Sequence, residues 1–414
     1  MEPLGPRSAE IIRRIEQRSA HNYHPYPFVV ERAEGAWLYD PDGNRALDFL
    51  SAYSAILSHR HPKVVAAVKR ELESGSDLVS RAVYSSRYAD FVDAICQFTG
   101  YDQVMPKSDG GSVTDSALSG LFMHGHERGI AHPEIILTKE YFHGRGFLFQ
   151  SNALFDDEQS HRKRPRSPGI IVADHNPAAV EAAITPHTVG IFMETHKGEG
   201  GPLFTDEKTF LGIRNVARKH GLLFGCDEIQ TGLGRCGYPL AWQEFGMSAR
   251  PDFVTLGKAL GGGIIPVSAI AGTEEFMRIF TPGSDGSTFG GYPIACAAAV
   301  ASLAAIEEEN IPAKSRWLGG YVAKKLRMHG FSVDHRGLLV RLEIPGSVSA
   351  RQQCEEMLLG QDRDPRVFMK HGHHDAKRGV AFARIAPPPG AITEELIDLA
   401  VDRTIAPVLD GRHA

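Results

Sequence analysis

The sequence lacks any apolar run long enough to cross a membrane. The best stretch, Pro293 to Ile306, is short, rich in alanine, and runs into Glu307, Glu308 and Glu309. The first eighteen residues have no apolar signal core, and Glu10 and Glu16 weigh against a transit peptide, so a cytoplasmic location is expected. Cysteine is scarce as well. Five residues (Cys96, Cys226, Cys236, Cys296, Cys354), an odd number with no C-x-x-C spacing, argue against a disulfide framework and a cysteine zinc site, and fit a reducing compartment. Neither sign of charge dominates: 45 Lys plus Arg stand against 50 Asp plus Glu, a net charge of −5. That balance argues against a nucleic-acid-binding surface spread over the chain. The basic stretch His161 to Arg166 reads as a solvated loop, and the histidine run Lys370 to Asp375 as a polar loop, with no metal site expected. No repeat or low-complexity tract is visible.

What is present is the composition of an ordinary globular protein, 42% hydrophobic and 23% charged over 414 residues. That length predicts two domains. Short apolar runs alternate with helical stretches: 135–138, 170–173, 189–193, 222–226, 253–256 and 267–271, with helices over 177–183 and 206–220. Apolar strands without strict alternation, separated by helices, predict an α/β fold whose mainly parallel central sheet is buried on both faces. In such sheets chemistry gathers at the carboxyl ends of strands. Near the start, Trp37–Tyr39, a turn at Asp40–Gly43 and Leu47–Leu50 read as a β-hairpin. Strand-like 338–344 and 380–385 follow a long Ala-rich helix. We expect residues 46–294 to form the large domain, with 1–45 and 295–414 building a smaller α+β domain from both chain ends.

Two glycine patterns compete for attention. Gly232-Leu-Gly-Arg-Cys-Gly237 matches G-x-G-x-x-G, but Tyr238-Pro239 follows at once and breaks the helix a dinucleotide site requires. A dehydrogenase reading is rejected. Asp227 lies at the end of the 222–226 strand, and Lys258 follows the 253–256 strand, flanked by Gly257 and Gly261–Gly263. A strand-end carboxylate and a strand-end lysine are what pyridoxal phosphate needs, one to keep its pyridine nitrogen protonated and one to form a Schiff base. Spacing alone leaves open the alternative of two solvated loop residues.

Three stretches carry a resemblance: Asp227-Glu-Ile-Gln-Thr-Gly-Leu-Gly-Arg-Cys-Gly237, Thr255-Leu-Gly-Lys-Ala-Leu-Gly-Gly-Gly263 and Gly286-Ser-Thr-Phe-Gly-Gly-Tyr-Pro-Ile-Ala295. In order and separation they resemble the signatures of class III pyridoxal-phosphate-dependent aminotransferases, enzymes of fold type I. Ala20–Pro25, Leu47–Ala55 and Ser80–Tyr84 resemble the ornithine aminotransferase branch. The resemblance implies a homodimer with its active site at the subunit interface. It makes Lys258 the Schiff-base lysine and proton shuttle, Asp227 the partner of the pyridine nitrogen, and Gln230 the contact to the phenolic oxygen. Phe142 would stack on the ring, and Gly110 and Gly111 would offer backbone N–H groups to the phosphate. Ser287 and Thr288 would reach the phosphate in the neighbouring subunit. On the substrate side it implies Tyr53 and Arg145 at the α-amino-acid end of ornithine, with Tyr84 also binding substrate. Arg384 would bind the α-carboxylate of 2-oxoglutarate, with Glu199 neutralising Arg384 while ornithine is bound.

The sequence departs from that family in three places, the run Lys370 to Asp375 before Arg384 being one. The phosphate loop usually reads Ser/Asn-x-Gly-x-Glu-Ala; here it is Ser108-Asp-Gly-Gly-Ser-Val, with Ser112-x-x-Asp115 as the expected capping box. Glu194-Thr-His-Lys197 stands where relatives read Glu-Pro-x-Gln, and two positions for Lys197 follow: paired with Glu199, or turned to solvent. Two alternatives stand beside amino-group transfer: a racemase, epimerase or other isomerase on the same scaffold, and a non-catalytic binding protein. An isomerase has no need of a gated Arg384, and a chain without the cofactor has little use for a buried lysine.

Overall fold

The computed structural model describes residues 4–51, 54–74, 81–146, 167–199, 201–344, 349–361, 363–372 and 380–411. The chain first forms an antiparallel ladder of β1 (Arg32–Glu34), β2 (Trp37–Tyr39) and β3 (Arg45–Asp48). Asp40 sets the turn between the last two: its Oδ1 accepts from the backbone N–H of Asp42 and Asn44 at 3.0 and 2.7 Å.

Seven strands then build the central sheet: β4 (Gln103–Lys107), β5 (Glu134–Thr138), β6 (Ile170–Ala173), β7 (Thr188–Glu194), β8 (Leu223–Asp227), β9 (Phe253–Leu256) and β10 (Ser268–Gly272). Their order is β4-β10-β9-β8-β7-β5-β6. Only β10 runs against its neighbours, so the other six strands point one way. Every residue of β7, β8, β9 and β10 is buried, which is why these segments read as unbroken apolar runs. β4 escaped the sequence reading because Pro106 interrupts it; as an edge strand, paired on one side with β10, it tolerates a residue without an N–H.

Both faces of the sheet are covered. Helix Gly110–Glu127 lays Val113, Leu118 and Leu121 on one face against Ile135, Val189, Phe192 and Phe253. On the other, helices Pro62–Glu73, Ser86–Thr99 and Pro293–Glu308 share a core with Ile191, Phe224 and Val254. The smaller unit contains a second sheet of β11 (Val333–Arg336), β12 (Leu339–Ile344), β14 (Lys370–His371) and β15 (Ala381–Ile385). Its remaining strand, β13 (Arg366–Phe368), pairs in parallel with β3, so the two ends of the chain share one sheet. Packing divides the chain later than the boundaries expected from sequence. Leu47 and Phe49 belong to the small core, and the 293–308 helix stays in the large one, the change coming between Ile311 and Leu318. Ala-rich texture marks close packing on neighbouring helices here, not a new domain.

The Gly232–Gly237 stretch is a run of turns wedged between these cores. Buried Arg235 ties them, donating to the carbonyls of Leu338 and Pro387 at 3.3 and 2.7 Å and to Ser51 Oγ at 3.0 Å. A Cβ on Gly234 (φ +96°) would sit 3.1 Å from Ile311 Cγ2, so the glycines serve close approach. Among the described residues no helix is long and apolar enough to cross a membrane.

Candidate active site

Asp227 and Lys258 stand where the topology directs them, at the carboxyl ends of the parallel strands. Glu194 and Asp227 close β7 and β8 and are register partners, while Asp227 pairs with Thr255 on β9. Lys258 opens the short 3-10 turn just beyond β9, at a positive φ of 43° that places its side chain over the sheet end. Tyr141, Phe142 and His143 follow β5.

Asp227 is 3% exposed. Its Oδ1 accepts from the Ile229 N–H at 3.0 Å, and its Oδ2 from Nδ1 of buried His143 at 2.9 Å. Those two contacts fix the orientation of the carboxylate. His143 is itself held by Phe192, 4.6 Å between ring centroids, and by Thr114, whose hydroxyl donates to the His143 carbonyl at 2.7 Å. Beside Asp227, Glu194 accepts from the Phe142 N–H at 2.9 Å. Burial and the Asp227 charge push its carboxyl well above the usual range. Burial pushes the Lys258 ammonium below its ordinary value, opposed by Asp227, Glu199 and Glu194, which favour the charge. Gln230, 4% exposed, has neither amide oxygen nor nitrogen hydrogen-bonded among the described residues. A buried, unpaired carboxamide beside an oriented carboxylate and a desolvated amine fits a polar planar cofactor bound among them.

Glycines Gly110 and Gly111 form the first turn of the 18-residue helix Gly110–Glu127, and a helix N-terminus is a sound anion site. The close approach of Gly144, whose added Cβ would lie 3.2 Å from Gly111 Cα, keeps this end narrow. The cap differs from expectation. The capping box is Asp109 with Ser112, not Ser112 with Asp115, because the helix begins at Gly110 and makes Ser112 its third residue. Asp109 Oδ1 accepts from the Ser112 N–H at 3.0 Å. Asp115 therefore stands inside the helix, its carboxyl raised by burial and by Asp109. At the end of β4, Lys107 is buried and pairs with Asp285, and it donates to the Gly286 carbonyl at 2.9 Å.

On the far side, Arg384 on β15 is 2% exposed and faces Glu199, with Nη1 to Oε2 at 2.7 Å and Nη2 to Oε1 at 3.3 Å. Burial alone would raise the Glu199 carboxyl. Arg384 and Lys370 reverse that and hold it at about 2. Both positions expected for Lys197 are corrected: it is buried, pairs with Glu140 at 2.5 Å and lies over the Tyr141 ring at 5.3 Å. Lys197 is therefore engaged by Glu140 rather than by Glu199.

Residues 18–403 match the family model for class III aminotransferases. The chain is 36% identical to an ornithine aminotransferase of Geobacillus sp. over 412 residues, covering 96% of this chain and 98% of that one. With the ornithine aminotransferase of Oceanobacillus iheyensis it shares 37% over 409 residues, 96% and 97% of the two chains. Among solved structures, the ornithine aminotransferase of Toxoplasma gondii superposes with a TM-score of 0.89 at 28% identity, over 98% and 94% of the chains. The acetylornithine aminotransferase of Elizabethkingia anophelis gives 0.83 at 30%, over 98% and 99%.

The chain is a class III aminotransferase. It has the fold-type-I architecture, resembles ornithine aminotransferases, and uses pyridoxal 5'-phosphate. The likeness to ornithine aminotransferases favours amino-group transfer over the isomerase and non-catalytic readings.

In this aminotransferase the remaining expected residues separate into groups. Tyr53 lies outside the described residues, as do the basic stretch 161–166 and residues 373–375 of the histidine run; His371 of that run bonds the Tyr26 hydroxyl through Nδ1 at 2.7 Å. Arg145 is exposed, its guanidinium 5.2 Å from the Tyr23 ring and 5.9 Å from Phe142. Tyr84 is fully exposed, on a surface shared with Arg81, Tyr88 and Gly291. Thr288 is exposed as well, while Ser287 Oγ sits 3.3 Å from Ser108 Oγ in the same chain. Sequence reasoning assigned no role to His143, Glu194 or Lys370. His143 and Glu194 carried one signal, a position at or just after a strand end; Lys370 carried none.

Proposed function

We propose that this aminotransferase moves the distal amino group of ornithine, or a close diamino acid, to 2-oxoglutarate, in a ping-pong cycle run by a cytoplasmic homodimer. The Glu199–Arg384 pair carries the reading. A diamino acid brings its cations to a site where Arg384 must be neutral overall, whereas a dicarboxylic oxo acid needs Arg384 free for a bidentate contact. A carboxylate that can turn away serves both in turn. The likeness to ornithine aminotransferases of two bacteria supports the donor.

When bound, pyridoxal phosphate supplies the aldehyde that receives the amino group and an electron-withdrawing ring. Gly110 and Gly111 would hold its phosphate and Phe142 one face of its ring. Asp227, oriented by His143, would keep a proton on the ring nitrogen, and Gln230 would satisfy its hydroxyl. Lys258, its amine desolvated, takes a proton at Nζ from the donor carbon and returns it elsewhere. Arg145 at the mouth suits the α-carboxylate of the donor, together with Tyr53 and Tyr84, the latter from the exposed face that a second subunit would cover. Ser287 and Thr288 belong to that same proposed interface. With ornithine, the product aldehyde closes on its own α-amine to a five-membered pyrroline carboxylate.

The test is the absorbance spectrum of the purified holoenzyme, before and after L-ornithine without any oxo acid. Loss of the long-wavelength cofactor band, restored by 2-oxoglutarate, supports both half-reactions. A band that ornithine leaves unchanged overturns the donor assignment.

A further inference from the structure

Arg384 is not the only cation on Glu199. Lys370, on β14, reaches Oε1 with Nζ at 3.4 Å, the same oxygen that Arg384 Nη2 approaches at 3.3 Å. The placement follows from the sheet: Lys370 and Arg384 are register partners on β14 and β15, so their side chains leave the same face side by side. They differ in surroundings. The Arg384 side chain is 2% exposed and that of Lys370 is 42% exposed, with Glu199 between them at 24%. Glu199 thus bridges a buried cation and one in contact with water.

We propose that Lys370 is the second seat of the gate: it receives the Glu199 carboxylate when a dicarboxylic oxo acid takes Arg384, and so sets the balance between dibasic donor and diacidic acceptor. The role rests on the donor and acceptor reading above. Opening the gate strips Glu199 of its contacts to Arg384 in a largely dry site. A lone carboxylate stranded there would be costly, and the cost would fall on oxo-acid binding. With Lys370 already touching Oε1, Glu199 keeps a charged partner by a small rotation. In the closed state Lys370 competes for the same oxygen and loosens the pair. Both effects favour the acceptor.

The experiment separates the half-reactions by rapid mixing of the holoenzyme, reading the apparent Kd for L-ornithine with one cofactor form and for 2-oxoglutarate with the other. Lys370→Met should raise the ratio of acceptor Kd to donor Kd about fivefold, the scale of a half-exposed ion pair. Lys370→Arg keeps the charge and should restore the ratio to within about twofold. An unchanged ratio in Lys370→Met, equal losses in both half-reactions, or failure of the arginine variant to restore it each overturns the role. If the unmodified enzyme runs neither half-reaction, the donor and acceptor reading fails first and the Lys370 role falls with it.

Discussion

Two arginines, Arg235 and Arg384, are buried almost completely, at 1% and 2% exposure, and they do opposite things. Arg235 spends its guanidinium on the carbonyls of Leu338 and Pro387 and on Ser51, three acceptors fixed to three separate segments. Arg384 faces the carboxylate of Glu199. A backbone carbonyl cannot leave without moving its strand, so Arg235 is a permanent tie between the two cores. A carboxylate on a two-carbon stem can rotate away, which is what the proposed binding of an oxo-acid carboxylate to Arg384 requires. Burial of a charge says little about its role; the mobility of its partner says more.

The largest expected effect breaks the comparison on the mobile side. Arg384→Met should lower the efficiency of the 2-oxoglutarate half-reaction by about 100-fold or more, as loss of a buried charged anchor does. The ornithine half-reaction should fall far less, since Lys370 remains for Glu199. Single-turnover rates for each half decide it, and equal losses in both would place Arg384 with Arg235 as a structural residue. The converse substitution, Arg235→Met, leaves buried acceptors unsatisfied and should cost about 2–4 kcal/mol of stability by denaturant unfolding. The ratio of the two half-reactions should stay within about twofold.

The pH dependence sharpens the same contrast. The Glu199 carboxyl is held at about 2, against an ordinary 4.5. A folded-state pKa below the unfolded one gives stability that is fully present above 4.5 and lost as pH falls toward 2. The full effect is about 3 kcal/mol. Glu199→Gln should therefore be less stable than the unmodified enzyme at neutral pH, with the gap closing as pH falls through that window. Unfolding midpoints at several pH values measure it, and a constant gap would mean that the pair is not ionic.

Much of this contrast could be read in the sequence, and its limits are physical. The strand-end placement of Asp227 and Lys258 was legible because buried parallel strands are continuous apolar runs whose ends stand out in the sequence, whereas Gln230 entered only through the family resemblance. β13 and β14 were not, having three and two residues and existing only through β3 and β15. The partner of Lys197 was equally hidden: Glu140 lies 57 positions away, and only the packing of β5 beside β7 brings them together. Lys370 was hidden for the same reason, since strand pairing, not spacing, sets it beside Arg384. In the phosphate loop a valid pattern misled, because Ser112-x-x-Asp115 reads as a cap while Asp109-x-x-Ser112 occupies the helix start.

That loop yields the smallest effect and the finest test of the comparison. Asp109 puts a negative charge at the helix end proposed to hold the cofactor phosphate, which suggests repulsion. Yet its carboxylate is spent, like the guanidinium of Arg235, on a backbone partner: it caps the Ser112 N–H at 3.0 Å. A charge neutralised by the N-terminus of its own helix acts weakly on a neighbour, within the 0.3–1 kcal/mol typical of helix-end charges. Serine caps as well as aspartate, so Asp109→Ser removes the charge and keeps the helix start. Cofactor titration of the apoenzyme should then give a Kd for pyridoxal phosphate only about two- to fivefold lower. A gain of a hundredfold would mean that Asp109 points at the phosphate rather than at its own backbone. Its kinship would then be with Glu199, as a charge held for exchange, and not with the fixed tie at Arg235.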